Sequence, residues 1–153
     1  MTEVPPYEAI RNLLGTYCLL IDSGDFTALG QLFADAVLTD DRGRIAAKGA
    51  EAATALWTGM IKRYDDGTPR TRHTTSNPVI ELDGDTAKCR SSFVVLQQID
   101  ARLEPVAAGR YRDTFACADG SWRFTSRQFF LDQLGDVSQH MGVAGRARPV
   151  SPR

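Results

Sequence analysis

From Glu8 to Ile21 the apolar side chains Ile10, Leu13, Leu14, Tyr17, Cys18 and Ile21 return every three or four residues, which predicts an amphipathic helix with one buried stripe. Ser23-Gly24 should end it, because glycine accepts the left-handed cap, and Asp25 then caps a second helix carrying Phe26, Leu29, Leu32 and Phe33. A short strand is expected at Ala36 to Thr39, turning at Asp41-Arg42-Gly43-Arg44, followed by a third helix from Ala50 to Tyr64. Asp65-Asp66-Gly67-Thr68-Pro69 breaks that pattern, and beyond Arg70 the chain becomes rich in threonine, valine, isoleucine and aromatics. Asp83-Gly84 and Asp119-Gly120 lie between strand-like runs and predict hairpins, and Glu104-Pro105 marks a third, softer turn. The implied strands are Thr71 to Leu82, Asp85 to Asp100, Val106 to Ala118 and Ser121 to Asp132. Helices grouped first and strands afterwards indicate α+β architecture. N-terminal helices packed on the concave face of a strongly curved, mainly antiparallel sheet would form a cone with an apolar pocket at its mouth.

Composition narrows the partners. The chain has 153 residues, 42% hydrophobic and 24% charged, as expected of one globular domain over residues 1–141. The tail 142–153, rich in glycine, proline and arginine, is expected to be flexible or captured by a neighbouring subunit. Eighteen basic and nineteen acidic residues are interspersed, for a formal net charge of −1, so no basic footprint for nucleic acid or an anionic membrane arises. No apolar run approaches the roughly 20 residues needed to span a bilayer. Met1 to Tyr7 lacks the layout of a secretory signal, which makes the cytoplasm the expected location. Cys18, Cys89 and Cys117 are widely spaced in apolar surroundings, which suits reduced thiols. Two distant histidines and three scattered cysteines form no set of metal ligands, and no P-loop, dinucleotide fingerprint or nucleophile elbow occurs, so no cofactor is expected.

Several segments, taken in order, resemble the nuclear-transport-factor-2-like superfamily and its SnoaL-like enzymes. They are Tyr17-Cys18-Leu19-Leu20-Ile21-Asp22-Ser23-Gly24-Asp25-Phe26, Leu32-Phe33-Ala34-Asp35, Arg70-Thr71-Arg72-His73 and Gly120-Ser121-Trp122-Arg123-Phe124, within a resemblance running from Tyr7 to His140. In the scytalone dehydratase, bile-acid 7α-dehydratase and hexachlorocyclohexane dehydrochlorinase types, an aspartate ends the first helix and a histidine stands early in the sheet. Asp22 and His73 match those positions, and Tyr17 matches a tyrosine of the bile-acid type. Similarity to ketosteroid isomerase instead pairs Tyr17 with a base near Asp41, but puts Arg110 where that enzyme needs a carboxylic acid. Scytalone dehydratase uses two pocket histidines. Here His140 falls beyond the last strand, so a second pocket histidine is expected to be missing.

The resemblance therefore implies an Asp22–His73 pair, 51 positions apart, with His73 as general base and Asp22 fixing its tautomer. Tyr17 would donate to a leaving oxygen or developing enolate, or it is simply a packed member of the apolar stripe. Phe33, Trp57, Phe93, Tyr111, Phe129 and Phe130 suit a pocket wall, or plain core. Asp41 would sit at the rim or be an exposed turn acid, and Arg110 and Arg127 would hold an oxyanion or a carboxylate of the substrate if strand alternation or a bulge turns them inward, or else lie on the solvated face or at a subunit contact. The leading expectation is a cofactor-independent lyase of the dehydratase or dehydrohalogenase kind, acting on a small hydrophobic cyclic substrate. An isomerase or polyketide cyclase of the same fold, and a non-catalytic ligand carrier or assembly subunit, remain open. An open sheet face needs cover, which predicts a homo-oligomer, and the resemblance points to a trimer or dimer.

Overall fold

The computed structural model describes residues 4–142. Helix α1 (Pro6–Ser23) starts with proline in its first turn and buries Ile10, Leu14, Tyr17 and Ile21 along one stripe. Gly24 ends it in the left-handed conformation at φ 76°, donating its N–H to Ile21 O. No other residue fits there, since a Cβ would lie 2.1 Å from Gly67 O. Asp25 then caps α2 (Phe26–Leu32), accepting from the Ala28 N–H at 2.9 Å. Strands β1 (Val37–Thr39) and β2 (Ile45–Lys48) form a small hairpin ahead of α3 (Gly49–Met60). Four long strands follow: β3 (Thr71–Asp83), β4 (Thr86–Ile99), β5 (Arg102–Ala118) and β6 (Ser121–Leu134).

The six strands make one curved, open sheet in the order β2-β1-β6-β5-β4-β3. All neighbours are antiparallel except β1 and β6, which run parallel. Alternation along β4 turns Ala87, Cys89, Ser91, Phe93, Val95 and Gln97 toward the helices, as a sheet with one covered face requires. Register shifts at Ser76/Val79, Val95/Leu96, Ala108/Gly109 and Thr114/Phe115 add the local twist that bends such long strands into a cone. Gly109 lies at one of these bends, where a Cβ would approach Phe130 O to 1.9 Å and the Phe93 ring to 2.8 Å. The core lies between this concave face and α1, α2 and α3.

Three boundaries differ from the sequence expectation. Helix α3 stops at Met60, because Ile61 is extended at φ −107°, ψ 127° and bridges to Met141. The turn expected at Glu104-Pro105 forms instead at Asp100, which takes φ 52°. Pro105 lies inside β5 next to the Val95/Leu96 shift, where a missing N–H is tolerated. Strand β2, absent from the expected elements, pairs with β1. Among the described residues no helix is long and apolar enough to cross a membrane. Apart from Gly142, the tail lies outside the described residues.

Candidate functional site

Asp22 is the penultimate residue of α1, and His73 is the third residue of β3. The glycine-ended helix drops the Asp22 carboxylate beside the first inward residues of that strand. Three donors converge on it. The His73 N–H donates to Oδ2 at 2.8 Å, the Thr71 hydroxyl donates to Oδ1 at 2.8 Å, and His73 Nδ1 lies 2.7 Å from Oδ1. The His73 and Asp22 side chains are 6% and 7% exposed. An ionised carboxylate can only accept, so Nδ1 is the donor in this contact, and in the neutral ring the lone pair falls on Nε2. The structure shows no hydrogen bond to Nε2 from the described residues, and His73 lines a cavity of about 240 Å³.

That cavity opens between the concave sheet and the helices. Its walls include Ile21, Leu56, Trp57, Ile61, Phe93, Val95, Phe129 and Leu131. Tyr17 and Tyr111 also line it, their rings 5.8 Å apart edge to face, and the Tyr17 ring lies 6.3 Å from that of His73. Burial raises both phenols above the ordinary value, strongly for Tyr111, and the Arg127 charge pulls each back only in part. Both are therefore neutral hydrogen-bond donors at physiological pH. Among the described residues, the charged side chains lining the cavity are Asp40, Asp41, Arg42 and Arg44, at the lip. Asp40 makes the lip rigid by accepting the Arg42 and Arg44 N–H groups at 3.0 and 2.9 Å and the Arg44 Nε–H at 2.7 Å. Asp41 is half-buried there, its carbonyl taking a bond from Gln128 Nε2.

His140 corrects an expectation. Although it follows the last strand, it is 4% exposed, lines the cavity and places its ring 6.0 Å from that of His73. The segment after β6 folds back under backbone and side-chain bonds. Lys62 N–H donates to His140 O at 2.9 Å, Gly142 N–H to Met60 O at 2.8 Å, and Gln97 Nε2 to Gln139 O at 2.9 Å. Burial first, and then the neighbouring His73, push His140 down to about 4, with Asp22 pulling the other way. It is a neutral imidazole at physiological pH, and its buried Nδ1 has no partner. Sequence spacing carried no signal for this approach.

Of the other expected wall residues, Trp57, Phe93, Tyr111 and Phe129 line the cavity, and Phe33 and Phe130 do not. Phe33 is 0% exposed and packs on Phe124, ring centres 4.6 Å apart, one layer deeper. Arg110 is on the open face of the sheet, bonded twice to Asp132 at 2.6 and 2.8 Å, with Phe130 beneath it. Strand alternation turned it away from the cavity. Arg127 is turned inward yet lies behind the cavity wall, fully buried and bonded twice to Asp113 at 2.8 Å.

Comparison with known proteins places the fold. Residues 2–128 match the SnoaL-like domain family. Methanesulfonate monooxygenase hydroxylase subunit beta of Methylosulfonomonas methylovora is 31% identical, with 82% of this chain and 80% of that protein covered. An NTF2-like protein with a cystatin-like fold from Novosphingobium aromaticivorans is 29% identical with a TM-score of 0.67, covering 92% of this chain and 86% of the other. A candidate scytalone dehydratase from the same organism shares the fold at a TM-score of 0.68 and 22% identity, covering 85% and 86%. The fold is thus NTF2-like, and the chain belongs to the SnoaL-like family.

Proposed function

We propose that the protein is a cofactor-independent lyase of the dehydratase kind, acting on a small hydrophobic cyclic molecule. The observation that carries this reading is the contact between Asp22 and His73 on the wall of an apolar cavity, which leaves the Nε2 lone pair for a ligand. His73 removes a proton from carbon, and Asp22 holds the tautomer and stabilises the imidazolium. Neutral His140 faces the same space and is the hydrogen-bond partner of the leaving oxygen, which supplies the second histidine that a dehydratase of the scytalone type uses. Tyr17 assists the leaving group or oxyanion. General-base catalysis of this kind contributes about 10²- to 10⁴-fold, and positioning in the cavity supplies the rest. The test incubates a panel of cyclic alcohols and ketones with the protein in deuterated water and follows water loss and deuterium uptake by NMR. Activity should fall at least about 100-fold in His73→Ala; an unchanged rate would refute the reading. Deuterium uptake without water loss would favour the isomerase instead.

A second reading, an assembly subunit of a hydroxylase-type complex, is favoured by the 31% identity to a hydroxylase subunit beta. It predicts that the protein is stable only with a larger partner chain, and that His73→Ala leaves both that complex and its activity intact. In the enzyme reading the open sheet face, which carries half-exposed Val94 and the Phe130 ring, is covered in a homodimer or homotrimer, to be read by sedimentation.

A further inference from the structure

The outer face of the sheet carries a charge arrangement that the chemistry of the cavity leaves unused. Alternation turns Cys89, Ser91, Tyr111 and Asp113 inward, so Lys88 and Arg90 on β4 and Arg110 and Arg112 on β5 point outward. Arg90 and Arg112 are directly opposite each other across the two strands. Like charges in that position destabilise a sheet. Glu81 bonds Arg90 at 3.3 Å, and Asp132 bonds Arg110 at 2.6 and 2.8 Å. Glu81 also stands opposite Lys88, but one carboxylate cannot neutralise both cations. Among the described residues neither Lys88 nor Arg112 is bonded to an acid. The Phe130 ring steadies the patch, since the guanidinium carbons of Arg110 and Arg112 lie 4.8 and 4.9 Å from its centre. Grooves of about 410 and 300 Å³ flank the Arg90 and Arg112 pair, and both arginines line each of them. The larger groove also offers the Thr114 and Ser126 hydroxyls, 2.6 Å apart.

We infer that this end of the outer face docks an acidic segment of another protein, whose carboxylates enter the two grooves and pair with Arg112 and Lys88. Charge complementarity selects that occupant. A second copy related by a two-fold axis presents the same face to itself, and its Glu81 and Asp132 are already bonded to arginines. Half-exposed Val94 and its neighbour Ala108 lie further along β4 and β5, which leaves the apolar end of the face for contact between copies. A nucleic acid fits less well, because its binding draws on many phosphate contacts and a chain of net charge −1 has only this small cluster to offer. The patch is on the opposite side of the sheet from the cavity, and it serves a partner whether or not the cavity is catalytic.

The test titrates the full chain, labelled with nitrogen-15, with an oligoglutamate peptide at millimolar concentration and follows backbone amide shifts by NMR. Shifts should concentrate at Lys88, Arg90, Arg112, Thr114 and Ser126 and fade as salt is raised. Arg112→Gln and Lys88→Gln, both exposed positions, should each weaken binding about threefold or more, as loss of one charge pair gives. Arg102→Gln, at the far hairpin, should leave it unchanged. Absent shifts, shifts centred elsewhere, or undiminished binding in Arg112→Gln would overturn the docking site. Tighter binding of a short RNA duplex or of phosphatidylserine vesicles at the same residues would overturn the choice of a protein partner. A wild-type dimer that Arg112→Glu dissociates in sedimentation would make a second copy the occupant and overturn it equally.

Discussion

Mild acid should loosen the fold through His140 in particular. Its ring is buried beside His73, and its proton affinity falls from the ordinary 6.5 to about 4. As the pH drops, the unfolded chain takes up this proton first, so protonation favours the unfolded state. The contribution of neutral His140 is complete above pH 6.5, declines between 6.5 and about 4, and is flat below. Each pH unit in that window is worth about 1.4 kcal/mol. Going from pH 7 to pH 5 therefore removes about 2 kcal/mol, and crossing the whole window about 3 kcal/mol. The measurement is urea unfolding of wild type and His140→Gln at pH 7, 6 and 5, followed by circular dichroism. Carboxylates common to both proteins cancel in the comparison. Wild type should lose about 2 kcal/mol more than the variant between pH 7 and 5. Parallel pH profiles would refute the buried neutral imidazole.

Two further perturbations test the packing behind the cavity. Asp113→Ala leaves Arg127 buried and unpaired and should cost about 3–5 kcal/mol in denaturant unfolding, whereas replacing the pair together by Leu and Met should cost far less. Gly109→Ala places a methyl 1.9 Å from Phe130 O and against Phe93, so the sheet must open locally. A loss of about 1–3 kcal/mol and a matching fall in Tm are expected, and an unchanged Tm would show that this bend relaxes freely.

Local rules reached the helices and hairpins but stopped short of the site's contacts. The stripe from Ile10 to Ile21, the Gly24 stop, the Asp25 cap and the turns at Gly84 and Gly120 each follow from residues close in sequence, and all are present. Pro105 misled because its missing N–H is accommodated at a register shift within β5 rather than at a turn. The Asp113–Arg127 pair was nearly legible: counting back from the hairpin at Gly120 sets Asp113 opposite Ser126, and the shift at Thr114/Phe115 moves it to Arg127. The approach of His140 to His73 depends on a chain return secured by Ile61, Lys62 and Gln97, which no local pattern encodes. The Asp22–His73 contact was implied by family resemblance, because 51 intervening positions carry no geometric information.

The Asp22 carboxylate has one more consequence. Strand β3 is the outermost strand on its side of the sheet, so its outward N–H groups are open to pairing with a strand from another molecule. The His73 N–H is already taken, bonded to the same carboxylate that holds the imidazole. Asp22 thus occupies one of the donors on the sheet's exposed margin, and a chain that loses it presents that donor for pairing with a strand of another molecule.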